Sequence, residues 1–442
     1  MNHRILSRWR NVLFLVTCIS LLSAGSAFGA GFALIENGVR GLGNAYAGGS
    51  ASAEDASTIF FNPAGMNRLP GHRIIAGAHY IIPYADFDDK GSTHVTGSPL
   101  SGGDDGNGAD AKIIPNLYYS REVSDRFSVG IGINTPFGLA TTYSRDWVGR
   151  YHAVKSDLMS ININPCVAYK VMDKFSVGVG FSAQYVDAEL SSAVDFGTIG
   201  AAFGIPGLLP QRNDGYFKLE GDSWGVGYNL GLLYEFSKNT RIGAAYRSRI
   251  EHTLEGDADF SHVPAPLSAS FRDTGAEADV TLPDSLSISL FHQLHPQWAV
   301  MADFTWTNWS LFDELVVKFD NDQAPNRTVE NWDDSYRYSL GVSYVPNGSW
   351  TLRIGTAYDT SAVSDKKYRT PRIPDGDRIW AALGAGYALS DMFGFDFGYA
   401  HLFINDPEIE KTATGDDRLR GALRGSFSAH IDIVSFQITM KF

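Results

Sequence analysis

Gly221-Asp-Ser223-Trp-Gly225 matches the G-x-S-x-G pattern of serine hydrolases. That chemistry needs a sharp strand–turn–helix elbow that lifts the serine above a sheet. Here the pentapeptide sits inside a long strand, where glycines are ordinary, so no catalytic residue is expected. Asp104-Asp105-Gly106-Asn107 carries cation-friendly oxygens but lacks a full calcium-loop pattern, and reads as a solvated loop. No metal site and no cofactor is expected. Of the two cysteines in the chain, Cys18 falls in an N-terminal leader and Cys166 is left alone. A lone thiol rules out an internal disulfide.

The leader has three parts. Arg4, Arg8 and Arg10 form a basic start, Val12 to Leu22 an apolar run, and Ala27-Phe28-Gly29 a cleavage site. Residues 1–29 are thus expected to be a signal peptide, its apolar run being too short to span a membrane as a helix. Thr17 before Cys18 argues against acylation. Losing the three leader arginines takes the formal charge from -13 to -16, which weighs against nucleic acid as a partner.

No stretch after the leader approaches the ~18 consecutive apolar residues of a transmembrane helix. The composition, 44% apolar with 46 glycines and 13% aromatics, describes a β-rich chain with many bends. The C-terminal residues 428–442 alternate strictly: Val434, Phe436, Ile438, Met440 and Phe442 on one face, Ser435, Gln437, Thr439 and Lys441 on the other.

The same grammar recurs in about fourteen segments between 71 and 442, many longer than the ~5–6 residues usual in globular sheets. Those at 126–143, 239–256, 277–294, 297–318 and 330–346 are each expected to be one continuous strand. Short connections such as Met172-Asp173, Ser237-Lys238 and Asn347-Gly348 alternate with long polar loops, among them 191–216 and 257–276. A membrane barrel produces that rhythm, with turns on one side and loops on the other. Closure pairs every backbone group, as hydrocarbon demands. The fold expected is an all-β, transmembrane antiparallel β-barrel of about 14 strands. Tyr118, Tyr119, Trp298, Trp306, Trp309, Trp350 and Trp380 read first as girdle residues at the membrane interfaces and second as ligand contacts.

Residues 30–70 have a different composition, rich in Gly, Ala and Ser and short of alternation. A barrel of this size leaves a lumen to fill, so this segment is expected to be a small plug inside the 71–442 barrel.

Ala30-Gly-Phe32, Gly41-Leu-Gly-Asn-Ala-Tyr-Ala-Gly48, Asn62-Pro63-Ala64 and Asn134-Thr-Pro-Phe-Gly-Leu-Ala-Thr141 stand in this order along the chain. Asp334-Ser-Tyr-Arg337 and Ile373-Pro-Asp-Gly-Asp-Arg-Ile-Trp380 follow them. Together they resemble the FadL family of outer-membrane transporters of long-chain fatty acids, with relatives that import aromatic hydrocarbons. The resemblance implies a fourteen-stranded barrel in the bacterial outer membrane with an N-terminal hatch containing Phe32, Asn62, Pro63 and Ala64. It implies passive uptake of hydrophobic small molecules, captured between two outward loops and released sideways through an inward kink in the third strand. Pro136, Phe137 and Gly138 fall in the middle of that strand. Proline cannot donate to a ladder and glycine marks a bend, so a break in pairing is the local expectation.

The loop side chains Phe196, Ile199, Phe203, Leu208, Leu209 and Phe260 are the candidate capture groove, since apolar clusters on outward loops mark binding surfaces. The family's usual basic positions are occupied here by Ser192 and Thr328, and Arg247, Arg327, Arg378 or Arg249 are the candidate carboxylate contacts instead. The partners implied are hydrophobic small molecules and outer-membrane lipid, with the protein a monomer. A general porin for hydrophilic solutes is the alternative, and it would show a wide, charged and unplugged lumen.

Overall fold

The computed structural model describes residues 31–363 and 365–442; the expected signal peptide and its cleavage site lie outside the described residues. The first strands of the sheet are β1 (His72–Asp89), β2 (Lys112–Ser124), β3 (Phe127–Asn134) and β4 (Gly138–Thr142). Then come β5 (Lys155–Met172), β6 (Phe175–Asp195), β7 (Asp214–Ser237), β8 (Thr240–Arg247) and β9 (Ile250–Ser261). The next are β10 (Thr274–Leu282), β11 (Ser285–His295), β12 (Trp298–Thr307), β13 (Glu314–Phe319) and β14 (Asn326–Val329). The last are β15 (Ser335–Asn347), β16 (Trp350–Asp359), β17 (Arg378–Ala388), β18 (Phe393–Ile404), β19 (Glu408–Glu410) and β20 (Arg424–Lys441).

Five pairs of segments (β3/β4, β8/β9, β10/β11, β12/β13 and β18/β19) are single walls interrupted once, and β14 is a short return onto β13. Among the described residues the ring therefore has fourteen antiparallel walls. It closes where β1 pairs with β20, from Arg73↔Lys441 to Asp89↔Gly425. The C-terminal alternation finds its cause here. Val434, Phe436 and Ile438 face outward and exposed, whereas Ser435, Gln437 and Thr439 are buried inside. An apolar exterior around a polar interior is the inverse of a soluble sheet, and is what lipid requires.

Several expected strands prove longer or broken. The span 126–143 divides at Thr135–Phe137, because Pro136 has no N–H for the ladder. The span 277–294 divides at Pro283 for the same reason, 239–256 at Ser248 and Arg249, and 297–318 at a 3-10 turn over Trp309–Leu311. At Ser248 the pairing with β7 slips by one residue, and its hydroxyl accepts the Tyr228 N–H at 2.9 Å instead. The expected strand 330–346 begins only at Ser335. Loop 191–216 is shorter than expected, with β6 running to Asp195, a helix over Phe196–Ala202, and β7 starting at Asp214. Ser223 lies in mid-strand in β7, without the elbow a nucleophile needs.

Residues 31–70 form helical turns at Val39–Leu42, Gly49–Ser52 and Thr58–Phe61, then a 3-10 turn over Pro63–Arg68. The Asn62 side chain caps that last turn, accepting from the Ala64 N–H at 3.0 Å. This segment is tied to walls on every side of the ring. Asn44 donates to Val342 O (2.9 Å), Arg241 to Ala51 O (2.6 Å) and Asn62 to Leu232 O (2.9 Å). Tyr118 donates to Asn37 O (2.8 Å), Gln437 to Asp55 (2.9 Å), and Arg40 pairs with Asp396 at 2.8 Å. Close approach is possible because luminal glycines face it: a Cβ on Gly243 would overlap the Ser50 carbonyl, and one on Gly355 the Asn44 backbone.

Candidate functional site: a chain of apolar cavities beside a broken strand

The break in the third wall is built by exchange of partners. With Pro136 unable to donate, residues 135–137 pair with residues 32–34 of the N-terminal segment. Leu34 N–H donates to Pro136 O (2.8 Å), Gly138 N–H to Phe32 O (3.1 Å), and Phe137 N–H to Ser160 Oγ (3.0 Å). The cost falls on β2. Its pairing with β3 stops at Leu117↔Ile133, while β4 pairs with β5 alone. A bridge between Ala109 and Thr141 closes the wall again above. Lys112 to Asn116 of β2 therefore have no ladder partner in the third wall, and the pairing is interrupted between them and β4.

Three cavities meet around this point. An inner cavity of about 190 Å³ is lined by Leu34, Phe61, Pro136, Phe137, Arg247 and Trp380, among others. A wall cavity of about 260 Å³ reaches Ile113, Leu139 and Met159 beside this interruption. Ile113, one of its lining residues, is 67% exposed. An outer cavity of about 80 Å³ lies under the long loops, lined by Leu219, Leu254, Ala278 and Phe312 with Glu330 and Arg372 at its edge. Ala33, Leu34 and Arg378 are shared by the inner and wall cavities; Phe32, Leu139 and Leu158 are shared by the wall and outer ones.

Phe32 stands where they meet. Its ring packs 4.7 Å from Trp309, 5.9 Å from Trp332 and 6.1 Å from both Phe312 and Phe137. Gly31 N–H donates to Asp375 (3.1 Å) and Arg378 donates to Gly31 O (3.2 Å), which holds this strap of residues 31–34 in place.

At the outer cavity, burial pushes the Glu330 carboxyl up to about 7, against Lys411 and the Trp332 indole N–H, which donates to it at 3.0 Å. Burial, and then Arg420, lower Arg372 to about 10. Its guanidinium donates to Lys155 O (3.0 Å), Ser156 Oγ (2.9 Å) and Ser191 O (3.2 Å).

Residues singled out from sequence are distributed unevenly. Arg247 and Arg378 both line the inner cavity. Arg327 stands apart on β14, half exposed and paired with Glu314, and Arg249 pairs with Asp284 at 3.1 Å. Pro63 lines the inner cavity, while Asn62 and Ala64 are buried against the wall. In the loops, Phe196 is fully buried, 4.9 Å from Phe271, and Phe260 packs 5.6 Å from the same ring. Phe203 and Leu209 are exposed, and Ile199 and Leu208 half-buried. None of the three cavities is lined by these six side chains.

Trp298 and Trp350 are exposed beside the tight turns, as the girdle reading requires. It fails for Tyr118, Trp309 and Trp380, which are buried inside. Trp380 donates to Asp359 at 2.8 Å and underlies Arg337 at 4.3 Å. Strand parity carried the signal for Trp380, since it shares a face with Ala382 and not with Leu383.

A closed fourteen-walled ring, apolar outside, with apolar cavities inside it, defines an outer-membrane β-barrel of the channel type. Residues 20–442 match the family model described as outer membrane protein transport protein (OMPP1/FadL/TodX), and the chain belongs to that family. It is 33% identical over 409 residues to the long-chain fatty acid transport protein of Escherichia coli O6:H1, covering 88% of this chain and 90% of that one. It is 31% identical over 460 residues to outer membrane protein P1 of Haemophilus influenzae, covering 97% and 98%. Among solved structures, a Pseudomonas aeruginosa FadL homologue superposes with a TM-score of 0.87 at 24% identity, covering 93% of this chain and 100% of that one. The Pseudomonas putida toluene transporter TodX gives 0.69 at 20% identity, covering 94% and 99%. These two likenesses establish the fold. The bacterial outer membrane is the site of the protein.

Proposed function

We propose that this barrel admits hydrophobic molecules, long-chain fatty acids or similar lipids and hydrocarbons, by passive flow. The interrupted pairing between β2 and β4, with an apolar cavity beside it, is the observation that carries this reading. Residues 30–70 act as a hatch that denies water a straight path, and the barrel proper is 71–442. Ligand is gathered by the long loops, where Phe203 and Leu209 stand exposed, passes the Phe32 strap, and leaves sideways between β2 and β4. The protein works as a monomer.

The energetics favour a sideways exit. Each buried methylene contributes ~0.8 kcal/mol, so a long acyl chain gains on the order of 10 kcal/mol in an apolar cavity. Expulsion into the periplasm would forfeit that gain; transfer into the bilayer would not.

The test compares uptake of a fluorescent long-chain fatty acid by cells with sugar permeation in proteoliposomes. Uptake without sugar flux is expected. Sugar flux without fatty acid uptake would instead identify a general porin.

A further inference from the structure

We infer that Arg73, Lys441 and Ser120 form an anion site at the periplasmic end of the lumen, which takes a phosphate-type oxyanion. The site is separate from the three cavities and from the passage proposed through them. Its residues stand in one row across adjacent walls, at the seam where the ring closes. Lys441 on β20 is the partner of Arg73 on β1, and Arg73 is in turn the partner of Ser120 on β2. All three share the luminal face. Arg73 is two residues from buried Ile75, Lys441 two from buried Thr439, and Ser120 two from Tyr118, which donates to the N-terminal segment.

None of these side chains makes a hydrogen bond or an ion pair among the described residues, and Arg73 Nε and Ser120 Oγ are buried. Like charges directly opposite each other weaken a strand pair, and this pair closes the ring. A third cation, Arg40, bears on both. The acids nearby are engaged elsewhere. Asp396 accepts from Arg40 (2.8 Å) and Arg353 (3.1 Å), Asp55 from Gln437 (2.9 Å), and Glu122 from the Gly71 N–H (3.1 Å). A guanidinium, an ammonium and a hydroxyl thus offer unused donors from three neighbouring walls. A tetrahedral oxyanion can accept from all of them, whereas a carboxylate has two oxygens in one plane. Two adjacent positive charges also match phosphate, and binding would remove the repulsion across the seam. Arg73 is the second residue of β1 and Lys441 the last of β20, so the row lies at the rim. Free phosphate and the phosphate heads of the inner leaflet are both at hand there, and they share the chemistry that the row recognises.

The experiment uses the processed protein in an uncharged detergent and follows its unfolding midpoint as inorganic phosphate replaces chloride at constant ionic strength. The wild-type midpoint is expected to rise and saturate. Arg73→Gln and Lys441→Gln should each need at least about tenfold more phosphate for the same rise. In chloride alone, Arg73→Gln should unfold at a higher temperature than wild type, because the repulsion is gone. A lower midpoint with the phosphate response intact would make Arg73 a structural residue and overturn the site. A rise with acetate equal to that with phosphate would overturn the phosphate class. A second arm adds phosphatidylglycerol and counts retained lipid by native mass spectrometry. Lipid kept by wild type and lost from both variants supports the site with a headgroup as its ligand. A phosphate response without retained lipid supports it with the free ion. No phosphate response, with lipid retained equally by all three proteins or by none, overturns it.

Discussion

Glu330 is held close to neutral by burial under the loops, and this makes a pH-dependent contribution that can be signed. Its carboxyl titrates near 4.5 when unfolded and at about 7 in the folded chain. The folded state therefore holds the proton longer, and stability falls as pH rises from about 4.5 to about 7, remaining low above that. Glu330→Gln keeps an acceptor for Trp332 and removes the charge. It should stabilise the segment around 326–335 by up to roughly 3 kcal/mol at pH 8 and leave it unchanged at pH 4, as read by hydrogen exchange. Leu139 tests the passage at the same scale, because it lines both the wall and outer cavities. Leu139→Glu places a charge in the apolar path and should cut fatty acid uptake at least about tenfold, since a charge in an apolar medium costs several kcal/mol. Unchanged uptake would move the path elsewhere.

The N-terminal segment is an element that cannot stand alone: its helical turns of four residues are far shorter than the ~12–15 residues at which isolated helices become marginal. Its shape is imposed by the wall, through side chains such as Asn44, Asn62 and Arg241 and through glycines that let backbone meet backbone. Gly243→Val should therefore displace the turn at Gly49–Ser52 while β8 stays in the sheet. Conductance in a planar bilayer is expected to rise above that of the wild type, with heat-shifted gel mobility retained. Unaltered conductance would show that this turn does not obstruct the lumen. The break at Pro136 was legible because a missing N–H is a local property. Its compensation was not, since Leu34 and Pro136 are a hundred residues apart and meet only in the closed ring.

At the scale of the molecule, the ring and its filling are separable. Removing residues 31–70 should leave a folded barrel, because β1 to β20 pair among themselves, and should convert it into an open pore permeable to sugars in a liposome swelling assay. Failure to swell would mean that loops, and not the segment, close the lumen. The sequence by itself determined the class, the number of walls, the direction of alternation and the separate character of residues 30–70. Period and turn chemistry are local, and lipid inverts the pattern in a way that no soluble core would. Only the tertiary structure decided which arginines line the inner cavity, which tryptophans turn inward, and where the pairing of the wall is interrupted. Those depend on register between strands distant in the chain, and on a partner exchange at one proline that no single segment encodes.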